Sequence, residues 1–228
     1  NHEKLLYAVG KYFFATQSSN LEDTLSSIEK LGVSRPETAL ALLRSGELAG
    51  ATEYLIKNIK SFAGLDLKVL ADELFANDNG HHVEYYWDTF SEAINPQELY
   101  ERLIKDAVES SDKQFFFLHA ADFLQKVSSI DPNSLVKALI QTGRLDVIKE
   151  KPRSFYTLDQ QAFAELVVAA PREVYFMLLN NIDKFKKVAD ESAIAKAILE
   201  KREDGASDLS DILHCFKNLN GELAIRLL

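Results

Sequence analysis

The stretch Ile130-Asp131-Pro132-Asn133-Ser134-Leu135-Val136-Lys137-Ala138-Leu139-Ile140-Gln141-Thr142-Gly143 contains a helix start, an apolar face and a stop. Asp131 suits an N-cap, because its carboxylate accepts from backbone N–H groups that lack partners in a first helical turn. Pro132 fits the first helical position, where a missing N–H costs nothing. Ile130 and Leu135 flank the cap as the two halves of a hydrophobic staple. Leu139 and Ile140 continue the apolar face, and Gly143 ends it. A second helix follows through Ile148 to Phe155, with Pro152 placed to break or kink it. One such hairpin cannot bury its apolar face alone, so it needs neighbours of the same kind.

The rest of the chain supplies them. Cap residues recur at Asn1, Ser34, Asp66, Asn95, Asp131, Asp159, Asp190 and Asn220, at spacings of 33, 32, 29, 36, 28, 31 and 30. Four residues after each cap stand Leu5, Thr38, Leu70, Leu99, Leu135, Phe163, Ile194 and Ala224. One turn further lie Leu42-Leu43, Leu74-Phe75, Leu103-Ile104, Leu139-Ile140, Val167-Val168 and Ile198-Leu199. The second helices align on Ile28, Phe62, Phe90, Phe123, Phe155, Phe185 and Phe216. Seven positions before these come Leu21, Leu55, Val83, Phe116, Ile148, Leu178 and Leu209; three before come Leu25, Ile59, Trp87, Ala120, Pro152, Ile182 and Leu213. Positions 0, −3 and −7 form one helical stripe, and both added columns are apolar throughout, counting Pro152. The pattern predicts an all-α chain: a right-handed α-solenoid of about seven two-helix repeats with a partial eighth. It is read as a single elongated domain over residues 1–228. Local signals agree: a Ser34-Arg35-Pro36-Glu37 capping box, a turn at Ser45-Gly46, another at Asn77-Asp78-Asn79-Gly80, and a turn through Glu203-Asp204-Gly205-Ala206-Ser207. Helices near 3–16 and 21–31 open the chain.

Composition bounds the function. With 35 acidic against 26 basic residues, the net charge is −9 and the pI about 5.1. The lysines and arginines are dispersed among acids, a poor match for phosphate backbones, which need clustered cations. The single cysteine, Cys215, cannot form an intramolecular disulfide and points to a reducing, cytoplasmic setting. No apolar run approaches the roughly 20 residues that span a bilayer, and no signal segment opens the chain. The lack of an initiator Met implies an excised piece of a longer array. The ending Ala224-Ile225-Arg226-Leu227-Leu228 implies an apolar helix over 221–228 that a partner or a second copy covers.

As architecture, the chain resembles the α-solenoid class that includes HEAT, armadillo and tetratricopeptide arrays, with a shorter period than HEAT or armadillo units. That resemblance implies a binding surface and no chemistry: a non-catalytic scaffold for another protein or peptide, with no cofactor and no metal. Two alternatives stand beside it. One is a nucleic-acid-binding helical array; the other is an all-helical enzyme or regulatory subunit with a His/Glu site.

The residues that bear on these readings are few. His81, His82 and Glu84, with His119 one unit on, offer metal-ligand types; His81 and Glu84 are at helical ligand spacing, but the plainer reading is a solvent-exposed helix start. His214-Cys215 pairs a thiol with a base, yet neighbours in sequence do not face each other on a helix, which favours a buried structural cysteine. The aromatic runs Tyr85-Tyr86-Trp87 and Phe115-Phe116-Phe117 exceed what one stripe hides. The sharpest candidate is the column four before the register residue: Thr24, Asn58, Tyr86, His119, Lys151, Asn181 and Ile212. It flanks the core stripe and changes chemical type at every repeat. Repeat arrays read extended ligands with such ladders. With Tyr54, His82, Phe115 and Met177 one turn earlier, it is the expected partner-binding face.

Overall fold

Ser34, Asp66, Asn95, Asp131, Asp159 and Asp190 each open a helix in a computed structural model of the chain, which describes residues 4, 8–9, 11–12, 21–44, 51–109, 112–202 and 205–221. Asp66 Oδ1 accepts from the Lys68 and Val69 N–H groups at 2.8 and 3.4 Å. Asn95 Oδ1 accepts from Gln97 and Glu98 at 2.8 and 3.4 Å. Asp159 and Asp190 accept from the third residue beyond, Ala162 at 2.8 Å and Ala193 at 2.9 Å. Ser34 and Glu37 form the reciprocal capping box: the Ser34 N–H donates to Glu37 Oε2 at 2.9 Å, and the Glu37 N–H to Ser34 Oγ at 3.4 Å. Asp131 accepts from Asn133 at 3.1 Å, and Pro132, expected at the first helical position, precedes the helix by one residue.

Among the described residues every element is helical, and they divide into two compact units, Asn1–Leu99 and Tyr100–Leu228. The first unit contains α1 (Leu21–Glu29), α2 (Arg35–Arg44), α3 (Ala51–Lys57), α4 (Leu67–Ala76), α5 (His81–Tyr85) and α6 (Trp87–Phe90). α7 (Pro96–Glu109) holds the boundary in sequence. The second unit continues with α8 (Lys113–Lys126), α9 (Asn133–Thr142), α10 (Asp146–Glu150), α11 (Gln160–Ala169), α12 (Arg172–Asn180), α13 (Glu191–Lys201) and α14 (Gly205–Ile212). In that unit α9, α11 and α13 pack in one row, while α8, α10, α12 and α14 pack in another. No helix is long and apolar enough to cross a membrane among the described residues. The Ser45-Gly46 turn, most of the helix expected near 3–16, and 222–228 lie outside them.

Burial follows two of the three second-helix columns; the one three before the register is buried at Leu25, Ala120 and Ile182 but only half-buried at Ile59, Trp87, Pro152 and Leu213, at the edge of the stripe. All seven register residues, from Ile28 through Phe155 to Phe216, are buried, as are Leu55, Val83, Phe116, Ile148, Leu178 and Leu209 in the column seven before. In the first helices the fourth residue after the cap is buried from Thr38 to Ile194. One turn on, the leading member of each apolar pair is buried and its follower half-buried: Leu42 against Leu43, Leu139 against Ile140, Ile198 against Leu199. Each such side chain contributes about 1.5–3 kcal/mol by leaving water. Helix ends also follow local chemistry. Gly143 ends α9 at φ +69°, its N–H reaching the Leu139 and Ile140 carbonyls, and the turn before α5 places Asp78 at φ +56°. Of the turn expected through Glu203-Asp204-Gly205-Ala206-Ser207, the last three residues belong to α14, which begins at Gly205, and Glu203 and Asp204 lie outside the described residues. A Cβ at Gly205 would sit 2.4 Å from the Ile198 carbonyl oxygen, so only glycine fits there.

The break expected at Pro152 is present, and most of the other second helices are interrupted as well. α3, α10, α12 and α14 each give way to a short 3-10 turn, at Ile59–Ser61, Pro152–Phe155, Ile182–Lys184 and Leu213–Cys215, and α5 breaks from α6 at Tyr86. α8 runs unbroken. A second regularity joins the repeats: the residue opening a first helix holds the loop that leads into the next. Arg35 donates to the Ser61 carbonyl at 2.8 Å. Asn133 donates to Asp159 Oδ2 at 2.6 Å. Gln160 accepts from the Ala189 and Asp190 N–H groups at 3.0 Å. Glu191 accepts from Lys217 and Asn218 at 2.5 and 2.7 Å.

Asp159 is the cap to remove. The Ala162 N–H, and after it the Asn133 amide, hold its carboxyl below the usual carboxylate range against the opposing effect of burial. Asp159→Ala is expected to cost about 1 kcal/mol at neutral pH. Because the folded pKa is depressed, the carboxylate's contribution is present above its unfolded pKa and disappears as pH falls through the folded value. Denaturant melts of wild type and variant should therefore differ at neutral pH and converge in acid.

Candidate interaction surface

The column that changes type at every repeat coincides with the breaks. Asn58, Tyr86, Lys151, Asn181 and Ile212 are each the residue at which an α-helix stops and the next turn begins. Ile212 is fully buried and Thr24 nearly so; both drop out as surface groups. The nine candidates fall in two groups. Tyr54, Asn58, His82 and Tyr86 belong to the first unit, and Phe115, His119, Lys151, Met177 and Asn181 to the second. All are half-buried except Phe115, which is 40% exposed.

The two asparagines have a local role. Asn58 Nδ2 donates to the Tyr54 carbonyl and Asn181 Nδ2 to the Met177 carbonyl, each at 2.8 Å. The amide thereby satisfies a carbonyl four residues back as the helix breaks, the competition with helical bonding that short polar side chains offer. Asn181 Oδ1 also accepts from Lys184 Nζ at 2.6 Å. Lys151 reaches the preceding repeat, 2.7 Å from Asp122.

Tyr86 is the centre of a denser group. Its ring lies nearly parallel to His82, centroids 6.3 Å apart and planes 13° apart, and Tyr85 meets it edge-on at 4.9 Å. Its hydroxyl lies within reach of the charge of Glu53, whose carboxylate is 2.6 Å from Lys57 Nζ. The Lys57 ammonium, by hydrogen bond and charge, keeps Glu53 below the usual carboxylate range. Burial, then the Glu53 charge, pushes the Tyr86 hydroxyl up, so it remains a donor. In the second unit His119 meets Phe115 edge-on at 4.5 Å, and Phe115 meets Phe116 at 5.3 Å. Phe117, outside the expected core columns, is fully buried.

The histidine-rich start of α5 is not the solvent-exposed one expected. Val83 and Glu84 are buried, Glu84 to 2%, while the His81 and His82 rings lie 4.3 Å apart. Among the described residues no three His, Cys, Asp or Glu side chains gather as a metal site. Cys215 is buried and donates to Asn180 Oδ1 at 3.2 Å. Within the 3-10 turn His214 Nε2 does lie 3.5 Å from its sulfur. Burial pushes the thiol pKa up, away from a thiolate nucleophile.

One feature lies off the expected face. In the second unit a cleft of about 460 Å³ opens between the starts of α10 and α12, lined by Gly143, Leu145, Asp146, Lys149, Arg172 and Val174, among others. Its charges are already matched: Lys149 with Glu173 at 2.5 Å, Asp146 with Arg144 at 2.6 Å and Arg172 with Asp211 at 2.8 Å. Its walls come from two repeats, so no single stretch of sequence announces it.

Comparison of the chain with family models, with curated proteins and with solved structures finds no match.

Proposed function

We propose that the protein is a two-helix α-solenoid that acts as a non-catalytic interaction scaffold, binding another protein or peptide through the faces that carry the break-column residues. One observation supports this reading above the others. The positions that vary in type from repeat to repeat, Asn58, Tyr86, His119, Lys151 and Asn181, are partly exposed, while the register column, and the column seven before it from Leu55 to Leu209, are uniformly apolar and buried. Uniform columns hold a stack together; variable ones on its surface give each repeat a different contact. A rigid aromatic at such a position suits the anchor role that tyrosine takes in interfaces.

The test is capture from a lysate of the source cells by immobilised wild type and by Tyr86→Ala and His119→Ala separately, with far-ultraviolet circular dichroism confirming each fold. The expected outcome is a protein retained by wild type and weakened about tenfold, roughly 1.4 kcal/mol, by at least one variant. Identical capture by all three proteins would overturn the assigned face.

A further inference from the structure

We propose that the first unit docks a basic, arginine-bearing segment of a partner protein on the outward face of the α5–α6 pair, with Tyr85 as its anchor. The inference rests on the scaffold reading and names the chemistry of one partner. It starts from charge. The first unit holds 15 acidic against 8 basic residues, the second 20 against 18, so an excess of seven of the nine net negative charges lies in the first. Much of that unit's basic complement is committed: Arg35 to Glu22 and Glu29, Arg44 to Glu73, Lys57 to Glu53, and Lys68 to Glu98. Asp88 and Glu92 have no ion-pair partner among the described residues.

Those two carboxylates follow an exposed aromatic residue, Tyr85, three and seven positions on. Along α5 and α6, Val83, Glu84 and Phe90 turn inward, whereas Tyr85, Asp88, Ser91 and Glu92 are exposed, Tyr85 to 65%. Tyr85 is packed edge-on against Tyr86, which is itself stacked along His82, so much of its ordering is complete before any partner arrives. A tyrosine face with carboxylates beside it attracts a cation through the ring quadrupole and through charge together. Arginine fits better than lysine, since a planar guanidinium stacks on the ring and presents a fork of donors to a carboxylate.

Trp87, the single tryptophan, adjoins the face and serves as the probe. The whole protein is titrated at low salt with a short oligoarginine peptide, and with oligoglutamate for comparison, following Trp87 fluorescence. The expected result is saturable binding of oligoarginine alone, weakened about tenfold or more by Tyr85→Ala and by Asp88→Asn/Glu92→Gln, and preserved in Tyr85→Phe. Asp23→Asn, which removes one carboxylate from α1 of the same unit, should change it less than twofold. Absence of saturable binding, or equal losses for Asp23→Asn and Tyr85→Ala, would overturn the proposal, the second result meaning diffuse attraction only. Failure here with a partner still captured through Tyr86 or His119 would remove this inference and leave the scaffold reading in place.

Discussion

Phe155→Ala is expected to lower the stability of the protein by about 3–5 kcal/mol, the range for deleting a buried aromatic ring. The ring ends the 3-10 turn after α10, is wholly buried, and belongs to a turn that packs against both α8 and α10. The residue before it is held in place: Ser154 Oγ donates to the Ala121 carbonyl at 2.6 Å and accepts from Gln125 at 2.9 Å. That anchorage limits how far the backbone can collapse into the space left behind, which puts the cost in the upper part of the range. Phe155→Leu refills most of the volume and should cost less than half as much. Urea melts followed by circular dichroism read both; a Phe155→Ala midpoint equal to that of wild type would refute the burial of the register column.

The second large effect is expected at Arg202. Its guanidinium donates to the carbonyls of Val167, Val168 and Ala170 at 3.0, 3.1 and 2.9 Å, closing the C-terminal end of α11. It also pairs with Asp208 at 2.7 Å, both side chains being 14% exposed, and lies 4.4 Å from the centre of the Tyr175 ring. One planar cation thus meets a carboxylate, a helix terminus and an aromatic face at once. Arg202→Ala leaves Asp208 unmatched in a mostly buried place and frees three carbonyls, at a cost of about 3–5 kcal/mol. Arg202→Lys keeps the charge but loses the fork, and should recover only part of that. If lysine restored full stability in a denaturant melt, charge alone would account for the site and the planar geometry would be irrelevant.

The helix starts could be read from the sequence because each depends on chemistry within four residues. Ser34 with Glu37, and Asp66 or Asp159 with the amides just beyond, need nothing from elsewhere in the chain. The core columns were readable for a related reason, since a buried stripe at helical spacing is set by periodicity. The breaks were not. Pro152 announces one, but Tyr86 and Ile212 carry no breaking signal, and α-helix and 3-10 turn differ too little in energy for propensity to decide between them. Asn58 and Asn181 are legible only afterwards, as amides that satisfy the carbonyl four back. For the candidate surface, the chemical types were visible while their pairings were not: Lys151 meets Asp122 and Tyr86 meets Glu53 across a full repeat, where register between repeats, absent from any local window, decides who faces whom. The burial of Glu84 was missed for the same reason, and the approach of His214 to Cys215 because the 3-10 turn that holds both was itself not legible.

The loop-holding contacts at the helix starts bear on how the chain reaches its native state. Arg35 to Ser61, Asn133 to Asp159, Gln160 to Asp190 and Glu191 to Lys217 each close a segment of 26 to 30 residues. Closing a loop of that size costs little more entropy than closing one half as long, and a fold built from such closures has low contact order and forms quickly. Assembly therefore does not wait for the ends of the polypeptide to meet. A newly made hairpin on the ribosome needs only the next thirty or so residues to emerge before its latch finds its loop, so the second unit's repeats are suited to acquire order in the sequence in which they are synthesised.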